Sequence, residues 1–178
     1  MGYDPEDLKK GGNGYIPISL QYNDYTATGA RETSIAGGDP FEEFTNRSYK
    51  NKTAHTINKC DLKLLEATRK AMGTKPVVLV LMMSNPTVMS EIEPLADAIL
   101  VGFDVQAQAY MDIISGNFEP SGLLPLQLPV SMDAVEKHCE DKPRDIECYR
   151  DADNHVYDFA FGMNWQGVID DERTRKYK

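Results

Sequence analysis

The sequence predicts an α/β protein, a mostly parallel sheet flanked by helices and preceded by a long polar N-terminal loop region. Three observations carry that expectation. Residues 77–83 and 98–103 are apolar at consecutive rather than alternate positions, which marks strands buried on both faces, as in a parallel sheet covered by helices. Amphipathic stretches lie between and around these runs, an alternation of helix and strand that implies right-handed crossovers. The first 58 residues differ, being polar, weakly periodic and rich in Gly, Asn, Thr and Tyr.

Taken in order, "GGNGYIPISLQYNDY" offers one possible strand over residues 15–21, and Pro17 favours an edge position for it. The segment "TGARETSIAGGDPFEEFTNRSYKNKT" reads as a long loop, and loops of that length are commonly functional. It carries Arg31, Glu32, Asp39, Glu42, Glu43 and Arg47 among aromatics. "DLKLLEATRKAMG" is an amphipathic helix, with Leu62, Leu65 and Met72 on one stripe, Asp61 as N-cap and Gly73 as stop. The strand "KPVVLVLMMSNP" follows, then a short helical piece opened by the pair Ser90 and Glu93. Residues 98–103 form the second strand, and "DVQAQAYMDIISG" a helix capped by Asp104 and stopped by Gly116. "LLPLQLP" is a third short strand whose prolines, Pro125 and Pro129, restrict its ladder bonds. Such a strand belongs at an edge or where its ends bend away. The last helix runs from Ser131 towards Pro143, and alternating Tyr157, Phe159 and Phe161 suggest a packing strand. The expected organisation is a loop-rich segment over residues 1–60, an α/β core over 61–169 and a charged, frayed tail over 170–178.

Composition narrows the function. At 178 residues the chain is one domain on the usual prior. It is too short for a (β/α)8 barrel of about 250 residues beside anything else. A net charge of −9 repels phosphate backbones, so no nucleic-acid partner is expected. No apolar run approaches the roughly 20 residues of a membrane span, and "MGYDPEDLKKGG" shows no apolar h-region, so no secretory signal is expected. Three cysteines, odd in number and without metal spacing, suggest free thiols in a reducing, cytoplasmic setting. The histidines are scattered, so no metal or other cofactor is expected. Ser34 and Ser121 lack a nucleophile elbow, and "GGNG" lacks the context of a phosphate loop.

Four stretches carry a family resemblance. "DIISGNFEPSGLLPLQLP" resembles the G-x-x-x-P-S-G-x-L-P-x-x-x-P segment of family 3 glycoside hydrolases. "KPVVLVLMMSNPTVM" resembles that family's buried strand and Asn/Gly-Pro turn, and "ADAILVGFDVQAQAYMDII" its next strand and helix. There the usual Gly-Gln-Glu is Asp104-Val105-Gln106. "YDFAFGMNW" resembles the aromatic-glycine tail, with Ala160 where glycine is usual. Together they cover roughly residues 75–166, in the family's order.

The resemblance implies the C-terminal domain of a β-glucosidase-type enzyme, here a partial (α/β)6 sandwich, apparently truncated before its opening strands. It also implies a (β/α)8 barrel partner that carries the nucleophilic aspartate, and a small saccharide as substrate. The family retains anomeric configuration with two carboxylates about 5–5.5 Å apart. No residue here matches a transferable acid/base motif, so the second carboxylate is sought on the long loop. Glu32 is the expected acid/base, with Arg31 orienting it; Asp39, Glu42 and Glu43 are rival carboxylates for that role, and Arg31, Asp39 and Glu43 are expected to bind the sugar. An isolated chain is expected to be inactive. The competing expectation is a standalone interaction module that keeps the fold without the chemistry, pairing into a homo-oligomer through a sheet edge such as residues 15–21. A flavodoxin-like nucleotide binder is disfavoured because no phosphate loop is present. Trp165 can stack on a sugar face or pack as an ordinary core or interface residue.

Overall fold

The computed structural model describes residues 2–3, 5–12, 14–31, 48–139 and 142–177. The helix expected from residue 61 is α2 (Lys59–Met72), following β1 (Gly2–Tyr3), α1 (Pro5–Lys9), β2 (Tyr15–Ile16), β3 (Tyr25–Thr26) and β4 (Thr53–Ala54). It buries Leu62 and Leu65, and it ends at Gly73, whose φ of 58° suits a residue without a side chain. Its N-cap position is Asn58 rather than Asp61, and no side chain caps it.

The two apolar runs form β5 (Val78–Met82) and β6 (Ala98–Gly102), parallel and in register from Val78 opposite Ala98 to Met82 opposite Gly102. One carboxylate fastens α2 to the start of this pair. Asp97 accepts the Val77 N–H at 2.7 Å and pairs with the Arg69 guanidinium, whose Nε donates to the Leu95 carbonyl at 2.9 Å. The Val77 N–H first, and then Arg69, hold the Asp97 carboxyl below its ordinary pKa.

Burial on both faces of β5 is not observed. Leu79 and Leu81 pack on the core, whereas Val78, Val80 and Met82 are 43%, 40% and 68% exposed. Among the described residues only one of the four two-stranded sheets is parallel; β1–β2, β3–β4 and β7 (Met163–Asn164) with β8 (Gly167–Val168) are antiparallel. The α/β class stands, but the expected mostly parallel sheet reduces, among the described residues, to this single pair. Residues 15–21 form a strand only at Tyr15–Ile16, where they already pair with β1; beyond Ile16, Pro17 removes a ladder donor.

Between β5 and β6, Pro94 breaks the expected helical piece into two 3₁₀ turns, Met89–Glu91 and Glu93–Leu95, with no side-chain cap from Ser90. Val88, Met89 and Ile92 are still fully buried. Then α3 (Ala107–Ile114) starts after Gln106, because Asp104 takes the left-handed region at φ 56° instead of capping. Ser131 does cap α4 (Met132–Lys137), accepting the Ala134 N–H at 3.2 Å. That helix stops at Lys137, before Pro143.

Residues 124–130 form no regular strand, yet they are the centre of the molecule. The Leu124 N–H donates to Phe161 O at 2.7 Å and the Leu128 N–H to Tyr157 O at 3.0 Å. On the other side Leu128 O accepts the Tyr149 N–H at 2.9 Å, and the Val130 N–H donates to Glu147 O at 3.0 Å. Proline has no N–H, so the bonds fall on the residues around Pro125 and Pro129. Leu128 and Pro129 are fully buried; the segment bends between two neighbours and does not form an edge. Tyr157 packs between Tyr149 and Phe161, at ring-centroid distances of 5.3 and 5.1 Å. The tail is also more ordered than expected, since Asp171 and Thr174 form a capping box on α5 (Glu172–Arg175). Among the described residues no helix is long and apolar enough to cross a membrane.

Candidate functional site

Glu32, Asp39 and Glu43, with Glu42 and Arg47, lie outside the described residues. Arg31 is described, and its Nη2 donates to the His138 carbonyl at 3.0 Å. The structure therefore shows the base of the predicted catalytic segment. The chain enters along β3 and returns along β4, with Tyr25 opposite Ala54 and Thr26 opposite Thr53. Above that pair the Ala27 N–H donates to Lys52 O at 3.0 Å and the Asn51 N–H to Ala27 O at 2.9 Å. The Ser48 hydroxyl then donates to Arg31 O at 2.7 Å, joining the two residues that flank 32–47.

This stem rests on α4. Tyr25 and Tyr49 donate their hydroxyls to the two carboxylate oxygens of Glu136, at 3.0 and 3.1 Å. Beneath them Tyr25, Ala27, Ala30, Val88 and Met132 are buried together, with Leu20, Tyr49 and Val135 packed alongside. Burial first, and the Glu136 carboxylate second, raise the Tyr25 phenol well above its ordinary pKa. The hydroxyl stays a donor across the physiological range.

A half-open cleft of about 430 Å³ lies beside β5 and the start of α2, with Leu20, Tyr22, Asp61, Leu65, Met82 and Asn85 in its wall. Its Tyr22 side is held by Glu91, which accepts the Tyr22 N–H at 2.6 Å and the Asn23 side-chain amide at 2.7 Å. Glu93 accepts the Tyr149 hydroxyl at 2.7 Å. These carboxylates serve as acceptors that join distant segments, which is structural work.

The other sequence candidates separate. His55 pairs with Asp24 and His155 with Asp151, at 3.1 and 2.8 Å. Among the described residues no cluster of His, Cys, Asp and Glu could hold a metal, and Cys60, Cys139 and Cys148 are unbridged. Trp165 is 61% exposed in the β7–β8 turn, so it is not a core residue. Sequence reasoning missed Glu136 and its tyrosines. Tyr25, Tyr49 and Glu136 are far apart in the chain, and only the pairing of β3 with β4 brings the two phenols to one helix.

Comparison with known proteins agrees with the resemblance. The family model described as the glycosyl hydrolase family 3 C-terminal domain matches residues 20–165. Beta-glucosidase C of Emericella nidulans is 33% identical over 105 residues, covering 56% of this chain and 16% of that protein. The probable beta-glucosidase C of Aspergillus flavus is 33% identical over 96 residues, covering 54% and 14%. The periplasmic beta-glucosidase of Salmonella typhimurium is 28% identical over 130 residues, covering 65% and 17%. The chain thus spans less than a fifth of the length of these curated relatives. No solved structure matches. With four motifs in order and a family match that runs from Leu20, just before the loop stem, to Trp165 in the β7–β8 turn, the chain belongs to the glycosyl hydrolase family 3 C-terminal domain family.

Proposed function

We propose that this chain is one wall of the sugar site of a retaining, β-glucosidase-type hydrolase, working with a (β/α)8 barrel that supplies the nucleophile. The observation that carries the reading is the family match, which spans the 32–47 segment together with the stem that holds it. In a retaining mechanism one carboxylate attacks the sugar while a second protonates the departing oxygen, about 5–5.5 Å away. Glu32, which follows Arg31 at the top of the stem, is the proposed second carboxylate. Asp39 and Glu43 on the same segment are proposed to bind sugar hydroxyls beside it.

The test is to produce the chain with its barrel partner and assay nitrophenyl glucoside hydrolysis. Glu32→Ala should lose most activity on alkyl glucosides, whose leaving group needs the proton, while on nitrophenyl glucoside azide or formate should restore turnover by attacking the glycosyl-enzyme without a general base. Normal activity in that variant, or no rescue, sinks the assignment. The 178-residue chain alone should show no turnover, because half of the carboxylate pair lies elsewhere; a burst of nitrophenol from it would overturn the reading.

One observation favours a second reading. β5 pairs only with β6 among the described residues, and its outer face exposes Val78, Val80 and Met82. Unpaired edges of this kind recruit partners. We propose that a second copy covers this edge, in place of the pairing through residues 15–21 expected from sequence. Light scattering that finds only monomer at micromolar concentration rejects it.

A further inference from the structure

We propose that Glu136 is a positioning residue, one carboxylate on α4 that joins the two arms of the stem flanking residues 32–47 through Tyr25 and Tyr49. The inference rests on the reading that this segment carries the acid/base.

Glu136 stands in the last turn of α4, and each of its oxygens takes one phenol, from Tyr25 on the outgoing strand and from Tyr49 on the return. A carboxylate accepts such bonds more strongly than a neutral oxygen does. One side chain therefore links the two arms of the stem to each other and to α4. Two further bonds repeat the arrangement. Arg31 donates to the carbonyl of His138, just past the end of the same helix, and Ser48 donates to Arg31 O. Helix α4 is itself fixed, capped by Ser131 and seated by buried Met132 and Ala134.

Closing a loop whose ends are already held costs less entropy than closing one whose ends wander. A catalytic group must also be held to within about half an ångström of its working position. Glu32 is bonded directly to Arg31, so the freedom of the stem is passed straight to it. Glu136 does not itself need to touch a sugar. Its effect is to narrow where residues 31 and 48 can stand.

The experiment has two arms. In the first, hydrogen exchange is followed on the 178-residue chain with Glu136→Ala, Glu136→Gln and Tyr49→Phe. The amides of Ala27 and Asn51, which bond across the stem, should exchange about tenfold faster in Glu136→Ala. Glu136→Gln, which keeps one good acceptor oxygen, and Tyr49→Phe, which loses one of two donors, should fall between. The amides of β5 and β6 should not change. An unchanged stem, or acceleration everywhere at once, overturns the proposal. In the second arm the chain is assayed with its barrel on an alkyl glucoside and on nitrophenyl glucoside. A misplaced acid slows the alkyl substrate most, because nitrophenol departs without protonation. Glu136→Gln should lower kcat at least tenfold more on the alkyl glucoside. Simple loss of folded protein lowers both equally. If Glu32→Ala shows this selectivity and Glu136→Gln does not, positioning is refuted. If Glu32→Ala shows none, the acid/base assignment fails instead, and the exchange arm still decides whether Glu136 holds the stem.

Discussion

Val80 and Leu128 come from two stretches that the sequence reads as strands, and the structure treats them in opposite ways. Val80 lies in the middle of β5, which with β6 is the longest strand among the described residues, and remains 40% exposed. Leu128 lies in a stretch with no regular strand and is fully buried. Regular backbone and burial are therefore separate properties. β5 has one partner strand and one packed face, while residues 124–130 are bonded on two sides by 147–149 and 157–161.

The largest expected effect follows from that contrast. Leu128→Ala truncates a fully buried side chain of the main cluster, which also holds Leu62, Leu65, Met89 and Ile92, and should cost about 2–5 kcal/mol in urea unfolding. A cost under about 1 kcal/mol would mean that the centre of the molecule lies elsewhere. Gly162→Ala tests the same region through the backbone. A Cβ there would overlap the Gly122 carbonyl oxygen and crowd Leu123, and an overpacked site of this kind costs about 1–3 kcal/mol. A neutral result would show that residues 120–124 and the chain before β7 are not in contact.

Why the sequence anticipated one of these regions better than the other has a physical answer. The amphipathic spacing of α2, the stop at Gly73 and the cap at Ser131 are local properties, set by residues within one or two turns, and all are present. Caps at Asp61 and Asp104 were equally well signalled by residue type. They fail because Asn58 takes the first cap position and because Asp104 adopts a left-handed turn. The apolar run of β5 predicts burial on both faces, but its periodicity cannot say whether a covering layer is present. The candidate site is the least legible part. Glu136, Tyr25 and Tyr49 meet only through tertiary pairing, and no spacing in the sequence announces them. The family was legible because its resemblance lies in local motifs, two apolar strands with their turns and the glycine and proline positions Gly116, Gly122, Pro125 and Gly162.

A smaller effect concerns the acid stability of the turn from Asp151 to His155, beside the segment that packs on residues 124–130. Asp151 accepts the backbone N–H of His155 at 2.8 Å and that of Asp153 at 3.0 Å, and it also pairs with the His155 ring. Burial pushes its carboxyl up, yet these bonds outweigh it and hold the pKa below the ordinary value of about 3.8. A depressed carboxyl stabilises the fold above its unfolded pKa, and that stability is lost as pH falls through the lower folded value. Asp151→Asn should therefore lower the melting temperature at pH 6–7, and the gap to the unaltered chain should close as the pH falls below 3.8 and through the lower folded value. A difference that persists undiminished in acid would point to shape, and not charge, at the Asp151–His155 turn.

The smallest expected change is the most informative about β5. Val80→Thr keeps the β-branched shape and adds a hydroxyl. If the outer face of β5 is wet, that hydroxyl meets water, and the cost should stay within about 0.5 kcal/mol, the range of ordinary surface substitutions. The result should be the same at all protein concentrations. If a second copy covers the face, the hydroxyl is buried without a partner, and assembly weakens while the monomer does not. Melting temperature against concentration separates the cases. Val80→Thr should then erase a rise that the unaltered chain shows. Leu81→Thr, on the packed face of the same strand, should destabilise the chain at every concentration. The pair of neighbouring residues thus reports which side of β5 is core and whether the other side has an occupant.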